Sequence, residues 1–352
     1  MKIKIRKNFL TISIFSFLII CILLLKFPLS EKLNENESNE KIAPRIIEAS
    51  TETLEEKLLK SLYKFSYNQF IDFENFNNRK GSRKFIIPNV VHLLYLNTNE
   101  IKFYQAINIY SIFLNQNPDF ILIHCNDCKF SGHYWEQINS IKELKDKIIL
   151  NKIKFHETIF GQEYGWIEHA SDTWRLMILM NYGGIYLDND VFVINSLNKY
   201  RKYELSVGWE SYKEVLGTQV LIAHRNARLL RAHFDAYRTA YNSSEWYYNA
   251  GIVPTNIVLN HSYMAHTVRR KFGVGIHTDE LYKQNWSSWK RLDTIHLLIN
   301  HRSYLDEESP IKDFDEENIL SYPYTYGEMC RLIMSKISKL YNIDFKRKSI
   351  RK

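Results

Sequence analysis

Trp166 to Ile194 reads WIEHASDTWRLMILMNYGGIYLDNDVFVI. Its first part has the composition of a helix over roughly 167–181, because Leu176, Met177, Leu179 and Met180 are strong helix formers. Gly183 and Gly184 are expected to stop that helix, since glycine accepts the positive φ found just past a helix end. Ile185-Tyr186-Leu187 then reads as a short buried strand. Asp188-Asn189-Asp190 stands at or just past its end, and an apolar run resumes from Val191 to Ile194.

Helix, glycine stop, strand and paired carboxylates form a pattern with a chemical use. Ligands of open α/β sheets bind outside the carboxyl ends of the strands. Two carboxylates two residues apart can approach one hard cation where a turn breaks the strand alternation, and Mg²⁺ or Mn²⁺ prefers such oxygen ligands and shares its shell with phosphates. Asp172 and Arg175, three apart on the preceding helix, share a face that offers an acceptor and a donor to sugar hydroxyls or phosphate. A bare D-x-D is a weak signal, and the chain holds a control in Asp313-Phe314-Asp315. That copy sits in an acidic stretch with no buried strand before it and reads as a solvated loop. The first copy follows an apolar strand, where carboxylates are costly unless paired or metal-bound.

The flanking sequence alternates strands and helices. Val90 to Leu96, Phe120 to His124 and Ile148 to Phe155 are apolar runs, and 100–116 and 135–147 carry helical spacing between them. This pattern predicts an α/β fold with a mostly parallel sheet. The globular part is expected over 84–330, followed by a basic tail over 331–352. Before it, residues 29–83 are polar and read as a stem, with helical spacing near Glu52 to Phe70. Residues 9–28 form a transmembrane anchor in this reading, behind a tail of residues 1–8. Phe9 to Leu25 is uncharged, which approaches the roughly 20 apolar residues a spanning helix needs. Lys2, Lys4, Arg6 and Lys7 precede it and keep the N-terminus cytosolic, so the bulk of the chain is expected in the lumen. The alternative is a cleaved signal peptide, but Lys26-Phe27-Pro28-Leu29-Ser30 offers no small-residue cleavage pattern. Asn36, Asn242, Asn260 and Asn285 begin N-x-S/T sequons that permit lumenal residence.

Of 352 residues, 45% are hydrophobic and 14% aromatic, enough for a large core. The formal charge of +8 partly reflects the two basic ends, and no zinc-finger spacing or basic aromatic platform points to nucleic acid. A nucleotide diphosphate or a membrane surface fits that balance at least as well. Cys21 falls in the apolar run, which leaves Cys125, Cys128 and Cys330. With no second ligand pair for zinc, the readings are a structural disulfide, Cys330 with one of the pair being one option, or free thiols.

At Ala170-Ser171-Asp172, Arg175 and Gly183-Gly184-Ile185-Tyr186-Leu187-Asp188-Asn189-Asp190 the chain resembles glycosyltransferase family 32, the DXD-containing sugar transferases. The resemblance covers roughly 85–305 and includes Ile87-Pro88-Asn89-Val90-Val91-His92. It implies a GT-A-type, Rossmann-like mixed sheet flanked by helices. It also implies a Golgi type II enzyme that moves a hexose or N-acetylhexosamine from a UDP-sugar (UDP-Gal or UDP-GlcNAc) to a glycan on lipid or protein, with retention. By the same resemblance Asp190 is a direct ligand of Mn²⁺ or Mg²⁺, Asp188 touches ribose or metal-bound water, and Asp172 and Arg175 hold the donor sugar. His92 and Tyr95 are expected in the nucleotide-sugar site. Tyr95 and Trp209 are candidate platforms for a uracil ring or acceptor sugar because flat rings stack on aromatics, with core packing the preferred alternative for any one aromatic. A late histidine of the family has its counterpart in either His296 or His301, although His296 between apolar neighbours reads equally as a core histidine, and the family's acceptor segment becomes Gly217 to Ala223. Trp246, Tyr247 and Tyr248 read as an acceptor loop or a plain surface turn.

Two other readings stand beside this one. Leu187-Asp188-Asn189-Asp190-Val191 fits the nucleophile motif of a haloacid-dehalogenase-like phosphatase, with Asp188 as nucleophile, but the later Lys and acidic pair such enzymes need are missing. A non-catalytic, membrane-anchored glycan-binding protein on the same scaffold is the third, since fold alone never establishes activity.

Overall fold

The computed structural model describes residues 53–66, 71–300 and 313–345. The expected anchor 9–28, Cys21, Asn36, His301 and the basic end beyond 345 lie outside the described residues. Among the described residues no helix is long and apolar enough to cross a membrane.

Helix α1 (Leu54–Ser66) is amphipathic and lays Leu58 and Leu62 against Val90, Phe120 and Leu122. Strand β1 (Val90–Tyr95) is buried along its whole length, as expected for an apolar run covered on both faces. Helix α2 (Phe103–Ser111) follows and passes into a π-helical turn at Ile112–Gln116, ended by Asn117 in the left-handed conformation. Then come β2 (Phe120–Cys125), α3 (His133–Ser140) and β3 (Ile148–Lys152). Helix α4 (Ile167–Tyr182) leads through Gly183 into β4 (Gly184–Leu187), and β5 (Val191–Val193) follows the Asp188–Asp190 turn. Strands β6 (Leu205–Gly208) and β7 (Gly217–Ala223), helices α5 (Arg228–Ala236) and α6 (Val253–Asn260), strands β8 (His266–Val268) and β9 (Thr294–His296), and helix α7 (Thr325–Tyr341) are the main elements that follow.

Seven strands form one sheet in the order β8-β6-β7-β4-β1-β2-β3. The pairs β1–β2, β2–β3, β1–β4 and β6–β8 are parallel, whereas β7 runs antiparallel to both β4 and β6. The sheet is therefore mixed, and its helices make the fold α/β as the alternation predicted. A separate antiparallel pair joins β5 to β9 and sets His296 opposite Val191. This pairing brings a distant part of the chain to the carboxylate turn.

The two glycines between α4 and β4 are required by space as well as by conformation. Gly183 has φ +63° and Gly184 φ +119°. A Cβ on Gly184 would stand 2.6 Å from the Val90 carbonyl oxygen and 2.7 Å from His92 Nε2. Only a residue without a side chain lets β4 enter the sheet there. Behind it Ile185 and Leu187 are fully buried in the main core. Truncating either to Ala would cost about 2–5 kcal/mol, so the strand that carries the carboxylate turn is firmly held.

Two boundaries and the cysteine pairing differ from those read in the sequence. Packing starts before residue 84: Phe73 belongs to the main core, and Asn78 Nδ2 donates to Glu204 Oε2 at 2.9 Å. The expected tail from 331 begins inside α7, whose Ile333, Met334 and Ile337 are buried. Their three-and-four spacing makes one apolar face, which the basic residues after it obscured. The disulfide joins Cys125 to Cys128 within the C-x-x-C, and Cys330 is a free, buried thiol of α7. Cys128 has φ +59°, so the chain turns back tightly enough after β2 to meet its near neighbour.

Candidate active site

The carboxylate turn begins where β4 leaves the sheet. Asp188 N–H donates to the Gln219 carbonyl on β7 at 3.0 Å, and Val191 N–H donates back to the Asp188 carbonyl at 3.0 Å. The turn breaks the strand alternation, so both aspartates face the same region. From outside, Asn108 of α2 donates its Nδ2 to the Asn189 carbonyl at 2.9 Å, and Leu297 N–H donates to the Asp190 carbonyl at 2.9 Å. The loop is thus tied to three elements through its backbone.

Asp188, Asp190 and His296 each offer a ligand atom, all within 4.8 Å of one another. His296 Nε2 lies 3.1 Å from Asp190 Oδ1. Burial works against the charged imidazole, but the Asp190 carboxylate beside it raises the His296 pKa above its ordinary value. Its other ring nitrogen, Nδ1, is buried with no partner among the described residues. Two carboxylates and an imidazole are an appropriate donor set for Mn²⁺, which tolerates mixed oxygen and nitrogen ligands. The residues present therefore fit a divalent cation.

Arg175 connects the helix to this group. Its Nη1 lies 3.0 Å from Asp172 Oδ1, and its Nη2 lies 3.0 Å from Asp188 Oδ1. Nη1 also donates to Thr218 Oγ1 at 2.8 Å, and the guanidinium sits 5.3 Å above the Tyr186 ring. Burial opposes its charge, but Asp188 and Asp172 reverse that and hold the guanidinium protonated. Burial pushes the Asp172 carboxyl up to about 7, against the pull of Arg175. Burial raises Asp188 too, with Arg175 and His296 opposing. A cation at the Asp188–Asp190–His296 group would add to that opposition and favour the ionised carboxylates.

The predicted site residues divide clearly. Asp172, Arg175, Asp188, Asp190 and His296 converge, whereas His301 lies outside the described residues. His92 does not reach the group. It is 0% exposed, with Nδ1 3.0 Å from His124 Nε2 and Nε2 2.8 Å from the Gly183 carbonyl oxygen. It sits mid-strand in β1, so alternation points it at the α4–β4 junction and makes it a core histidine. Tyr95 ends β1 close enough to Asp190 that the carboxylate, after burial and Tyr104, contributes to its raised pKa. Its ring is only 1% exposed, so it cannot offer a face to a base or sugar. Trp209 is likewise buried, its indole N–H donating to the Glu214 carbonyl at 2.9 Å.

Other residues join the site without a local signal. Gln219 of β7 donates Nε2 to Tyr247 Oη at 3.3 Å and keeps a buried Oε1 without a partner among the described residues. Tyr247 lies close enough to Arg175, Asp172 and Asp188 for their charges to act on its phenol, whose pKa burial pushes to about 12. Only β7's antiparallel pairing with β4 places Gln219 and Thr218 here. Both Asp188 oxygens accept from Arg175 Nη2, at 3.0 and 3.4 Å. That ties up the carboxylate which the phosphatase alternative needs as a free nucleophile. Of the described sequons, Asn260 and Asn285 are exposed and Asn242 is half-buried.

Residues 104–207 match the model of a family described as glycosyltransferase sugar-binding region containing DXD motif. The chain is similar to glucan organizing enzyme 1 of Cryptococcus neoformans var. grubii serotype A, 22% identical over 193 residues and covering 50% of each chain. It thus spans about half the length of that curated relative. Among solved structures it resembles the galactosyltransferase LgtC in complex with donor and acceptor sugar analogs, with a TM-score of 0.35, 13% identity, and 52% and 74% of the two chains covered. It also resembles the glycosyltransferase GlyE of Streptococcus pneumoniae, with a TM-score of 0.37, 12% identity, and 74% and 66% covered. The matched segment 104–207 holds Asp172, Arg175, Asp188 and Asp190 and ends before His296.

Proposed function

We propose that this chain is a metal-dependent, retaining glycosyltransferase of GT-A type. It transfers a hexose or N-acetylhexosamine from a UDP-sugar, UDP-Gal or UDP-GlcNAc, to a glycan acceptor on lipid or protein. The observation that carries the reading is the meeting of Asp188, Asp190 and His296 within 4.8 Å. The basic start and apolar run at 9–28 support a single-pass, type II placement in the Golgi membrane, with the catalytic domain lumenal.

Asp188, Asp190 and His296 would hold the cation, which would neutralise charge on the departing diphosphate. In the transfer the bond from the anomeric carbon to the diphosphate oxygen breaks. A bond from the acceptor oxygen to that carbon forms on the same face, and the acceptor hydroxyl's proton passes to the departing diphosphate oxygen. Arg175 orients Asp188 and prevents two neighbouring carboxylates from repelling each other in a dry site. Asp172 fixes the other side of the guanidinium. Gln219 Oε1 and Tyr247 Oη provide polar atoms beside this pair for sugar hydroxyls. The test is hydrolysis and transfer of UDP-Gal and UDP-GlcNAc by the purified chain, with Mn²⁺ and with a chelator. Turnover that is indifferent to the metal, or equal in Asp190→Ala and wild type, would sink the reading.

A further inference from the structure

Two exposed tryptophan side chains lie together. Trp166 is 48% exposed and Trp246 is 37% exposed. Their rings are nearly parallel, 20° between planes, with centroids 6.5 Å apart. Part of each indole ring therefore faces solvent, and the two rings are held side by side with apolar surface in reach of a ligand. The hold is specific. His169 of α4, itself buried, has Nε2 3.1 Å from the Trp246 carbonyl oxygen and Nδ1 3.0 Å from Tyr241 Oη. Gly165 lets the loop settle on α4, because a Cβ there would collide with the Ser243 carbonyl.

The pair is continuous with the proposed donor site. Trp166 caps the helix that carries Asp172 and Arg175, and α4 runs back from the end of the sheet where the carboxylate turn sits. Six residues separate Trp166 from Asp172, which at the helical rise is about 9 Å along α4. Trp246 adjoins Tyr247, whose hydroxyl accepts from Gln219 Nε2, and the Gln219 carbonyl in turn accepts from Asp188 N–H. The surroundings are acidic: Glu163, Glu168 and Glu245 are exposed. Carboxylates at the edge of flat rings suit a neutral sugar, whose hydroxyls donate while its C–H face packs on the indole. They repel an anionic lipid surface.

We infer that Trp166 and Trp246 form a platform for a neutral sugar ring of the acceptor glycan, one or two residues from the point of transfer. The inference rests on the transferase reading and adds to it the class and location of the acceptor contact. These are binding residues that the transfer chemistry does not need.

The full-length chain, in a detergent without sugar groups, is titrated calorimetrically with lactose, N-acetyllactosamine and mannobiose, with UDP and Mn²⁺ present. UDP affinity in Mn²⁺ is measured on the same samples. At least one disaccharide should bind the wild type. Trp166→Ala with Trp246→Ala should weaken that disaccharide about tenfold, Trp166→Phe with Trp246→Phe should restore most of the affinity, and UDP should bind all variants equally. Silence of the wild type toward all three sugars, or unchanged affinity in the double alanine variant, overturns the platform and leaves the donor site standing. Tryptophan-dependent sedimentation with phosphatidylserine vesicles also overturns it. Failure of the wild type to bind UDP strikes the transferase reading itself, and with it the acceptor role.

Discussion

The chain contains two D-x-D triplets, and their packing is inverted. In Asp188-Asn189-Asp190 the outer residues turn inward, toward His296 and Arg175. In Asp313-Phe314-Asp315 the outer residues are exposed and the middle one is buried in the main core against Tyr282, Tyr322 and Tyr326. The Asp315 Oδ1 accepts from the backbone N–H of Glu317 and Asn318, at 2.9 and 2.8 Å, and so starts the short helix Asn318–Ser321. The second triplet is thus an aromatic anchor and helix cap, where the sequence suggested only a solvated loop. The middle residue explains the difference. An apolar Phe is drawn into the core and sends its neighbours to water, whereas Asn189 gains little by burial and sits in a turn held by its backbone.

The largest way to break the comparison is at Asp190. Asp190→Ala should reduce Mn²⁺-dependent UDP-sugar turnover about a thousandfold, and Asp313→Ala should leave it unchanged. Steady-state hydrolysis assays of both variants decide this, and equal losses would erase the distinction between the triplets. Next in size is Arg175→Met, which leaves two buried carboxylates without their cation. It should cost about 3 kcal/mol of stability in urea unfolding, and added Mn²⁺ should recover part of that through Asp188. No destabilisation would mean that the buried pair is not the holder of the turn.

A pH series sharpens the comparison further. In the metal-free protein a protonated His296 pairs with Asp190, and its pKa is raised by that partner. A cation must displace the proton, so affinity is full above the raised pKa and falls as the pH drops below it, by about tenfold per unit. Calorimetric Mn²⁺ titrations between mildly acidic and mildly alkaline pH should show this slope, and His296→Gln should flatten it. A slope retained in that variant would assign the proton elsewhere. The smallest effect is at the second triplet. Asp315→Ala removes a cap and should lower stability by about 1 kcal/mol without changing turnover. A loss of activity there would show that the two triplets are coupled.

Much of this was legible in the sequence, for local reasons. Helix α4, its glycine stop, β4 and the carboxylate turn are contiguous, and each follows from spacing, propensity and the freedom of glycine. The main strands were legible because buried parallel strands are uninterrupted apolar runs. His92 misled because it lies in a run that resembles the family's first strand. The spacing does not say that alternation turns its ring into the core. Tyr95 misled for a related reason, since an aromatic at a strand end looks available until the elements above it close. The end of the fold was misplaced because basic residues after 345 coloured the reading of α7, whose apolar face continues past 330.

By itself, the sequence determined the local unit: an α/β alternation, a helix bearing Asp172 and Arg175, and two aspartates on a turn past a buried strand. Short-range physics suffices for these, because helix stops, strand alternation and turns depend on near neighbours. Only the tertiary structure decided which histidine joins the carboxylates, because β9 must pair with β5 before His296 faces Asp190. It likewise decided that Gln219 and Tyr247 flank the site and that two tryptophans from separate segments meet beside it. Such meetings depend on which strands pair and which loops a buried side chain such as His169 can hold. No spacing along the chain carries that information.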